Sequence, residues 1–426
     1  MLIRNTAPVF GANRSPYQDP GEWQVSVSTR NLVSDDHYNG TVEQVQRQTL
    51  ASYVTNKQNL VDLGVSRVLT RRLTLTLGVP FVNSVWASRD PAFPLPAARR
   101  EIGQNGRGIG DVSLTGRYWV FNPDTHLDWN VAAGGGVKMP TGNSRAQDRF
   151  PGRTDTSNIL RYVDQSVQPG DGGWGVMMEG HAFWLVKRVL LFGSGSYLAN
   201  PRDTNDTPSI LTVLGINTTT GANVGLGVNS VPDQYLARLG GTVAVWRGVS
   251  GALAWRMEGL RRYDLFGESH GWRRPGTEMF VEPGVSYSNG RHTVSFNVPL
   301  GYYYNRRPNP YTGNPGDATF PRQIFLGSYS WRFGQKNTPP VSTPVPIDVS
   351  KPGDASASSS PSDGQAVSRS PSVSVEVPGI FGSSSTPPAK PPLRGDPLSS
   401  LSPQLVLPPA APHRTPIDRC AVARSA

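Results

Sequence analysis

RLTLTLGVPF, residues 72–81, puts an apolar residue at every second place: Leu73, Leu75, Leu77, Val79 and Phe81 form one row and Arg72, Thr74, Thr76 and Gly78 the other. Period-two alternation describes a strand with two unlike faces. A row of five lipid-type side chains backed by small polar ones suits the wall of a transmembrane barrel, in which alternate residues meet hydrocarbon. On its N-terminal side the run is joined by a minimal turn, Thr70-Arg71, to a strand-like stretch from Lys57 to Leu69. On its C-terminal side a long Gly- and Arg-containing stretch, Asn83 to Gly110, reads as a loop.

The same unit recurs along the chain. EWQVSVSTR sets Trp23, Val25 and Val27 against Gln24, Ser26, Ser28 and Arg30, and a loop begins near Asp35-Asp36 and continues through Asn39-Gly40. DVSLTGRYWVF and LDWNVAAGGGVKM flank the tight turn Asn122-Pro123-Asp124, GWGVMMEGHAFWLV and VLLFGSGSYL flank Lys187-Arg188, and QYLARLGGTVAVW and VSGALAWRMEGLRRY flank Arg247-Gly248. EMFVEPGVSY and HTVSFNVPLGYYY flank Asn289-Gly290, a strong hairpin dipeptide. Between these pairs lie long connections: Pro140 to Asp171, Pro201 to Pro232, Asp264 to Thr277 and Asn305 to Phe320. Strict alternation of short and long links is the mark of an outer-membrane barrel, with short periplasmic turns and long external loops. The expectation is an all-β protein: a transmembrane antiparallel up-and-down β-barrel of about 12 strands over residues 21–334, after an irregular N-terminal segment, 1–20. An even strand count puts both chain ends on the short-turn side. Aromatics near strand ends (Trp86, Tyr118, Trp119, Trp129, Trp184, Tyr197, Trp246, Tyr302, Tyr304, Trp331) fit interfacial girdles. The last strand carries Phe325, Tyr329, Trp331 and Phe333 on one parity.

Residues 335–426 are another material. TPPVSTPVP, SASSSPSDG and SSSTPPAKPP are rich in Pro and Ser and hold almost no aromatic residue, so they cannot bury enough apolar surface to offset ordering entropy. They read as a disordered periplasmic tail. Met1 to Ser15 contains no apolar stretch of the length a secretory signal needs, so the expectation for an exported protein is a misassigned start or a trimmed form, and the alternative is a protein that stays in the cytoplasm.

Composition narrows the function. Charged residues are 17 % of the 426, and no window approaches the roughly 18 apolar residues of a spanning helix. The net charge is +10, yet no basic helix, zinc spacing or aromatic RNA-binding pattern accompanies it, so nucleic acid is not expected as a partner. A single cysteine, Cys420, excludes an internal disulfide. HExxH and P-loop patterns are missing, the glycines Gly106, Gly108 and Gly110 precede no helix, and neither an enzyme, a cofactor nor a metal is expected. His181 with a nearby serine is a candidate for a barrel hydrolase, and Asp203, Asn205 and Asp206 are candidates for an outer-loop Ca²⁺ site; a structural histidine and a solvated loop are the plainer readings.

If the apolar parity faces lipid, the opposite parity names the interior: Asp111, Arg117, Lys138, Glu179, His181, Arg238, Arg256, Glu258 and Glu282. An Arg or Lys facing the bilayer midplane costs about 2–4 kcal/mol, so inward placement is close to forced. All but Asp111 are candidate selectivity residues, although a satisfied Arg/Glu network filling a narrow lumen explains them as well. Twelve strands lie between filled barrels of about eight and open porins of 16–18, which predicts a narrow or plugged pore.

GIGDVSLTGRYWVF followed by VAAGGGVKMPTGN resembles the outer-membrane family associated with meta-pathway phenol degradation, as do DLGVSRVLTRRLTLTLGVPFV with its Pro80-Phe81 pair, RRPGTEMFVEPGVSY and VSFNVPLGYYYNR. The resemblance spans roughly residues 23–333; the tail departs from it. The matching positions are Gly108, Gly110, Asp111, Lys138, Pro140, Thr141 and Gly142, and a Pro-Thr-Gly after a strand is also a plain turn signal. The resemblance implies a channel or passive transporter for small molecules, aromatic or hydrophobic ones among them, in the outer membrane of a Gram-negative bacterium. The expected partners are the lipid bilayer, the barrel-assembly machinery and a small solute. The alternative is a structural or interaction barrel that meets partners through its loops and tail.

Overall fold

The computed structural model describes residues 15–89, 101–152, 157–310, 312–313 and 316–334. Twelve antiparallel barrel strands follow one another in order: β1 Trp23–Asn39, β2 Val54–Val68, β3 Leu73–Arg89, β4 in two pieces (Glu101–Ile109 and Ser113–Trp119), β5 Trp129–Lys138, β6 Gly175–Val186, β7 Val189–Ala199, β8 Gln234–Trp246, β9 Val249–Leu260, β10 Gly276–Ser288, β11 in two pieces (His292–Asn297 and Leu300–Arg306) and β12 Ala318–Phe333. Each pairs with its neighbours in sequence, and β12 closes on β1 from Trp23↔Phe333 upward. Closure leaves no backbone edge for the bilayer to desolvate. No described helix is long and apolar enough to cross a membrane. The tail expected to be disordered lies outside the described residues.

The two faces fall as the alternation predicts. Leu75 and Leu77 point outward with 37 % and 41 % of their surface exposed, whereas Arg256 and Glu258 are inside at 1 % and 0 %. Trp23, Tyr118, Trp129, Trp184, Trp246, Tyr287 and Trp331, all exposed, ring the short-turn end. Three of the aromatics expected in a girdle are elsewhere. Trp119 and Tyr304 have the inward parity and are buried, and Trp86 is buried in a cluster with Ile102, Phe150 and Val167 beneath the long loops.

Several strands outrun their sequence boundaries. β1 continues to Asn39, and most of the stretch expected as a loop, Asn83 to Gly110, is strand: β3 runs on to Arg89 and β4 resumes at Glu101. Above the wall the period-two signal fades because no lipid selects an apolar row there. The upper piece of β4 pairs only with Phe81–Arg89, while the lower piece pairs with both β3 and β5. The long connections also carry structure: a hairpin of Gln147–Phe150 with Ile159–Tyr162 in one, and Thr204–Pro208 paired with Val228–Ser230 in another.

Candidate functional site

The barrel has a lumen, and its two sides are furnished differently. From β8, β9, β10 and β1 come Arg238, Arg256, Glu258, Glu278, Glu282 and Arg30, three cations and three carboxyl groups, all buried. Arg238 Nε donates to Glu282 at 3.1 Å, Arg256 Nε to Glu258 at 2.8 Å and Arg30 Nη1 to Glu258 at 3.2 Å. Arg256 Nη1 lies 3.7 Å from Glu282, and Arg238 also stacks 5.7 Å from the Phe192 ring. Glu258 and Glu278 face one another across the β9–β10 register, so the Arg30 and Arg256 guanidiniums are what make that carboxyl pair tolerable. Leu32, Phe280 and Ile324 pack as an apolar block on the same side. Four of the expected lumen residues, Arg238, Arg256, Glu258 and Glu282, are therefore brought together. Arg30 and Glu278 complete the network; the first had been placed on a polar parity and the second shares the parity of Glu282, but neither was singled out.

Beside this network the lumen is open. A chamber of about 350 Å³ is lined by small hydroxyl side chains (Ser26, Ser28, Ser66, Thr76, Ser113, Thr115) and by Arg117, Glu179 and His181. Two glycines on the wall beside it leave little room for a side chain. Gly136 sits on the inward row of β5, and a Cβ there would lie 2.2 Å from the Leu114 carbonyl oxygen; a Cβ on Gly134 would lie 3.3 Å from the Cβ of Glu179. His181 Nε2 stands 3.5 Å from Glu179. That nitrogen has no hydrogen-bond partner among the described residues.

The long-loop mouth is capped. Residues 163–168 turn down over the chamber: Ser166 Oγ donates to Asn56 at 2.7 Å, and the Val167 carbonyl oxygen comes so near Gly106 that a Cβ would be 1.7 Å away. Asp164 anchors the cap through Arg274 Nη2 at 2.6 Å and the Ser166 amide at 2.8 Å. Burial alone would raise the Asp164 carboxyl, but the Arg274 charge and the bonds from Arg274 and Ser166 hold it below its ordinary range.

The glycine and Pro-Thr-Gly motifs meet beside this cap as one knot. Thr141 Oγ1 donates to the Gly110 carbonyl at 2.9 Å and accepts from the Val112 amide at 2.8 Å, bridging the break in β4. Asp111 accepts from the Gly142 amide at 2.9 Å and the Asp171 amide at 3.1 Å. Lys138, expected as a selectivity residue, is buried here and paired with Asp171, with Asp111 3.8 Å away. In the outer loops Asp203 pairs with His270, Asp206 with Arg202, and Asn205 donates to the Asp171 carbonyl, so these three converge on no common point. No cluster of three or more metal-ligating residues occurs among the described residues.

No protein-family model and no curated protein sequence matches the chain. Among solved structures it is similar to an outer membrane channel from Pseudomonas putida F1 (13 % identity, 74 % of this chain and 97 % of that one, TM-score 0.49). It is also similar to the translocator domain of autotransporter NalP from Neisseria meningitidis (10 %, 75 % and 91 %, 0.36) and to the CymD monoaromatic hydrocarbon channel (9 %, 75 % and 90 %, 0.33). At such scores these likenesses go no further than the barrel that the strand pairing already describes.

Proposed function

We propose that the protein is an outer-membrane channel, a passive transporter of small molecules across the envelope of a Gram-negative bacterium. One observation carries the reading: a polar chamber sits inside a closed wall whose outer face is apolar. Short turns and both barrel ends then face the periplasm, the long loops face outward, and the tail after Phe333 starts on the periplasmic side. Insertion would rest on the barrel-assembly machinery, to which the aromatic row ending at Phe333 is suited.

The chamber's volume is at the small end of ligand sites, about 300–1,000 Å³. Its lining of hydroxyls with Arg117, Glu179 and His181 favours a solute that forms hydrogen bonds, and the motif resemblance favours an aromatic or hydrophobic body. Together they point to small oxygenated aromatics. Arg117, Glu179 and His181 would set access to the chamber, with Arg238, Arg256, Glu258 and Glu282 acting as filling and Lys138 as part of the rim.

The test is uptake into proteoliposomes. 4-Hydroxybenzoate, which is ionised at neutral pH and crosses lipid slowly, is expected to enter faster than into protein-free vesicles, and a tetrasaccharide no faster. Uptake of 4-hydroxybenzoate at the protein-free rate sinks the channel reading.

A further inference from the structure

Three arginine pairs that lie apart in the sequence, Arg261-Arg262, Arg273-Arg274 and Arg306-Arg307, meet at the long-loop ends of β9, β10 and β11, where Gly276 pairs with both Leu260 and Arg306. Half of them are engaged within the protein. Arg273 pairs with Asp264, Arg274 with Asp164, and Arg306 Nη1 donates to the Pro275 carbonyl at 3.0 Å. Arg261 and Arg307 differ: both are exposed, and among the described residues neither guanidinium forms an ion pair.

Strand register puts these two on the outside of the wall. The Arg261 amide donates to the Asp233 carbonyl at 3.0 Å and the Arg307 amide to the Pro275 carbonyl at 3.0 Å, one outward step beyond the row of Tyr235, Gly259 and Thr277. Two strand spacings, about 10 Å, separate them. Extended arginine stems can close that gap around one phosphate, with charge-assisted bonds from both sides. Just below, the Tyr235 hydroxyl crosses Gly259 to stand 2.6 Å from Thr277 Oγ1, and a Cβ on Gly259 would lie 2.2 Å from that hydroxyl. Farther down the same face, Leu239, Leu253 and Val281 are exposed as part of the apolar wall.

The turn after β9 is fastened beside these cations. Asp233, fully buried, accepts from the Tyr197 hydroxyl at 2.6 Å and from the Asn200 and Leu265 amides at 2.7 Å. The turn so held leaves Tyr263, Leu265 and Phe266 exposed at 53 %, 51 % and 57 %. Its exposed carboxylate, Glu268, forms no ion pair among the described residues. Apolar and aromatic side chains beside cations, at the upper edge of a lipid-facing wall, are the composition of a headgroup interface.

We propose that this rim docks lipid A, the phosphorylated glycolipid of the outer leaflet, with Arg261 and Arg307 holding a phosphate and Tyr263, Leu265 and Phe266 resting at the boundary of its sugars and acyl chains. The proposal rests on the outer-membrane reading with the long loops facing outward. Two features select this occupant: the unpaired positive charge complements a phosphate, and the apolar turn continues the lipid-facing wall. A free phosphate would use only the first.

Binding of fluorescent lipid A to the full chain in detergent micelles tests this. Arg261→Gln with Arg307→Gln is expected to weaken binding roughly tenfold. Arg72→Gln, which removes an exposed cation at the short-turn end, should leave it unchanged, and lipid A stripped of its phosphates should bind the wild type as weakly as intact lipid A binds the double variant. Leu265→Ser with Phe266→Ser is expected to weaken binding from the apolar side, an independent route should the arginine variant fold poorly; heat-modifiable gel migration reports folding of each. Unchanged affinity in the folded variants, or displacement of lipid A by equimolar inorganic phosphate, overturns the docking site and leaves the channel standing. A folded chain that fails to float with lipid vesicles overturns both.

Discussion

Inward rows on β8–β10 include Arg238, Arg256, Glu258, Phe280 and Glu282, while those on β3–β5 include Thr74, Thr76, Gly78, Ser113, Thr115, Gly134 and Gly136. Both sets lie on the same parity of the same kind of strand, under the same apolar exterior. The first set meets across the axis and fills its side with ion pairs; the second cannot reach and leaves a chamber. Side-chain volume, not strand geometry, decides which part of this narrow barrel stays open. A large charged side chain inside a barrel therefore signals filling when its neighbours are also large, and a site when they are small, as Arg117 is flanked by Thr115 and Gly134.

The contrast can be broken by removing one charge from each side. Glu258→Ala leaves Arg30 and Arg256 buried without their shared carboxylate and is expected to cost about 3–5 kcal/mol, read as a lower urea midpoint for barrel unfolding. Glu179→Ala on the chamber side should move that midpoint far less. Equal losses would erase the distinction between filling and site.

The outside of the chamber wall is the next check. Leu77→Arg is expected to cost about 2–4 kcal/mol in a bilayer, because the exposed row of β3 has only hydrocarbon to face. Toleration of Arg there in lipid vesicles would mean that this face is not a membrane face.

Arg117→Ala is expected to change stability by less than about 1 kcal/mol, since the side chain is half-buried beside an open space. Its effect should be on selectivity: reversal potentials in a salt gradient should shift toward cations. An unchanged reversal potential would remove Arg117 from the conducting path.

The smallest effect belongs to the cap. The Asp164 carboxyl is depressed below its ordinary 3.8, so its contribution is complete above that value and is lost as pH falls through the lower folded value. Proteolysis of the long loops should be unchanged from pH 7 to about 5 and rise only in stronger acid. Asp164→Asn should be more susceptible at neutral pH and show less of the acid step; an acid step of undiminished size in that variant would assign it to another group.

How much of this was legible depends on the range of the interaction that had to be read. The strand count, the closed wall and the direction of Leu73, Leu75, Leu77, Arg256 and Glu258 follow from period-two alternation and loop length, both visible within a few residues. The upper parts of β3 and β4 were missed because, beyond the lipid, no apolar row marks a strand. Trp119 was misassigned to a girdle although its parity with Arg117 was available. The motif residues Asp111, Thr141 and Gly142 could be quoted, but their joint role in bridging the break in β4 depends on bonds between residues 31 apart.

Alternation alone thus determined which side of the wall each residue takes, because a strand exposes successive side chains to opposite faces whatever its neighbours do. Only the tertiary structure decided which inward residues touch. Arg30 meets Glu258 across 228 positions, Arg274 meets Asp164 across 110, and the Tyr17 hydroxyl finds the His126 carbonyl across 109. Those meetings depend on closure, on the accumulated register of many strand pairs and on how loops fold back over the mouths, quantities that no local stretch of sequence contains.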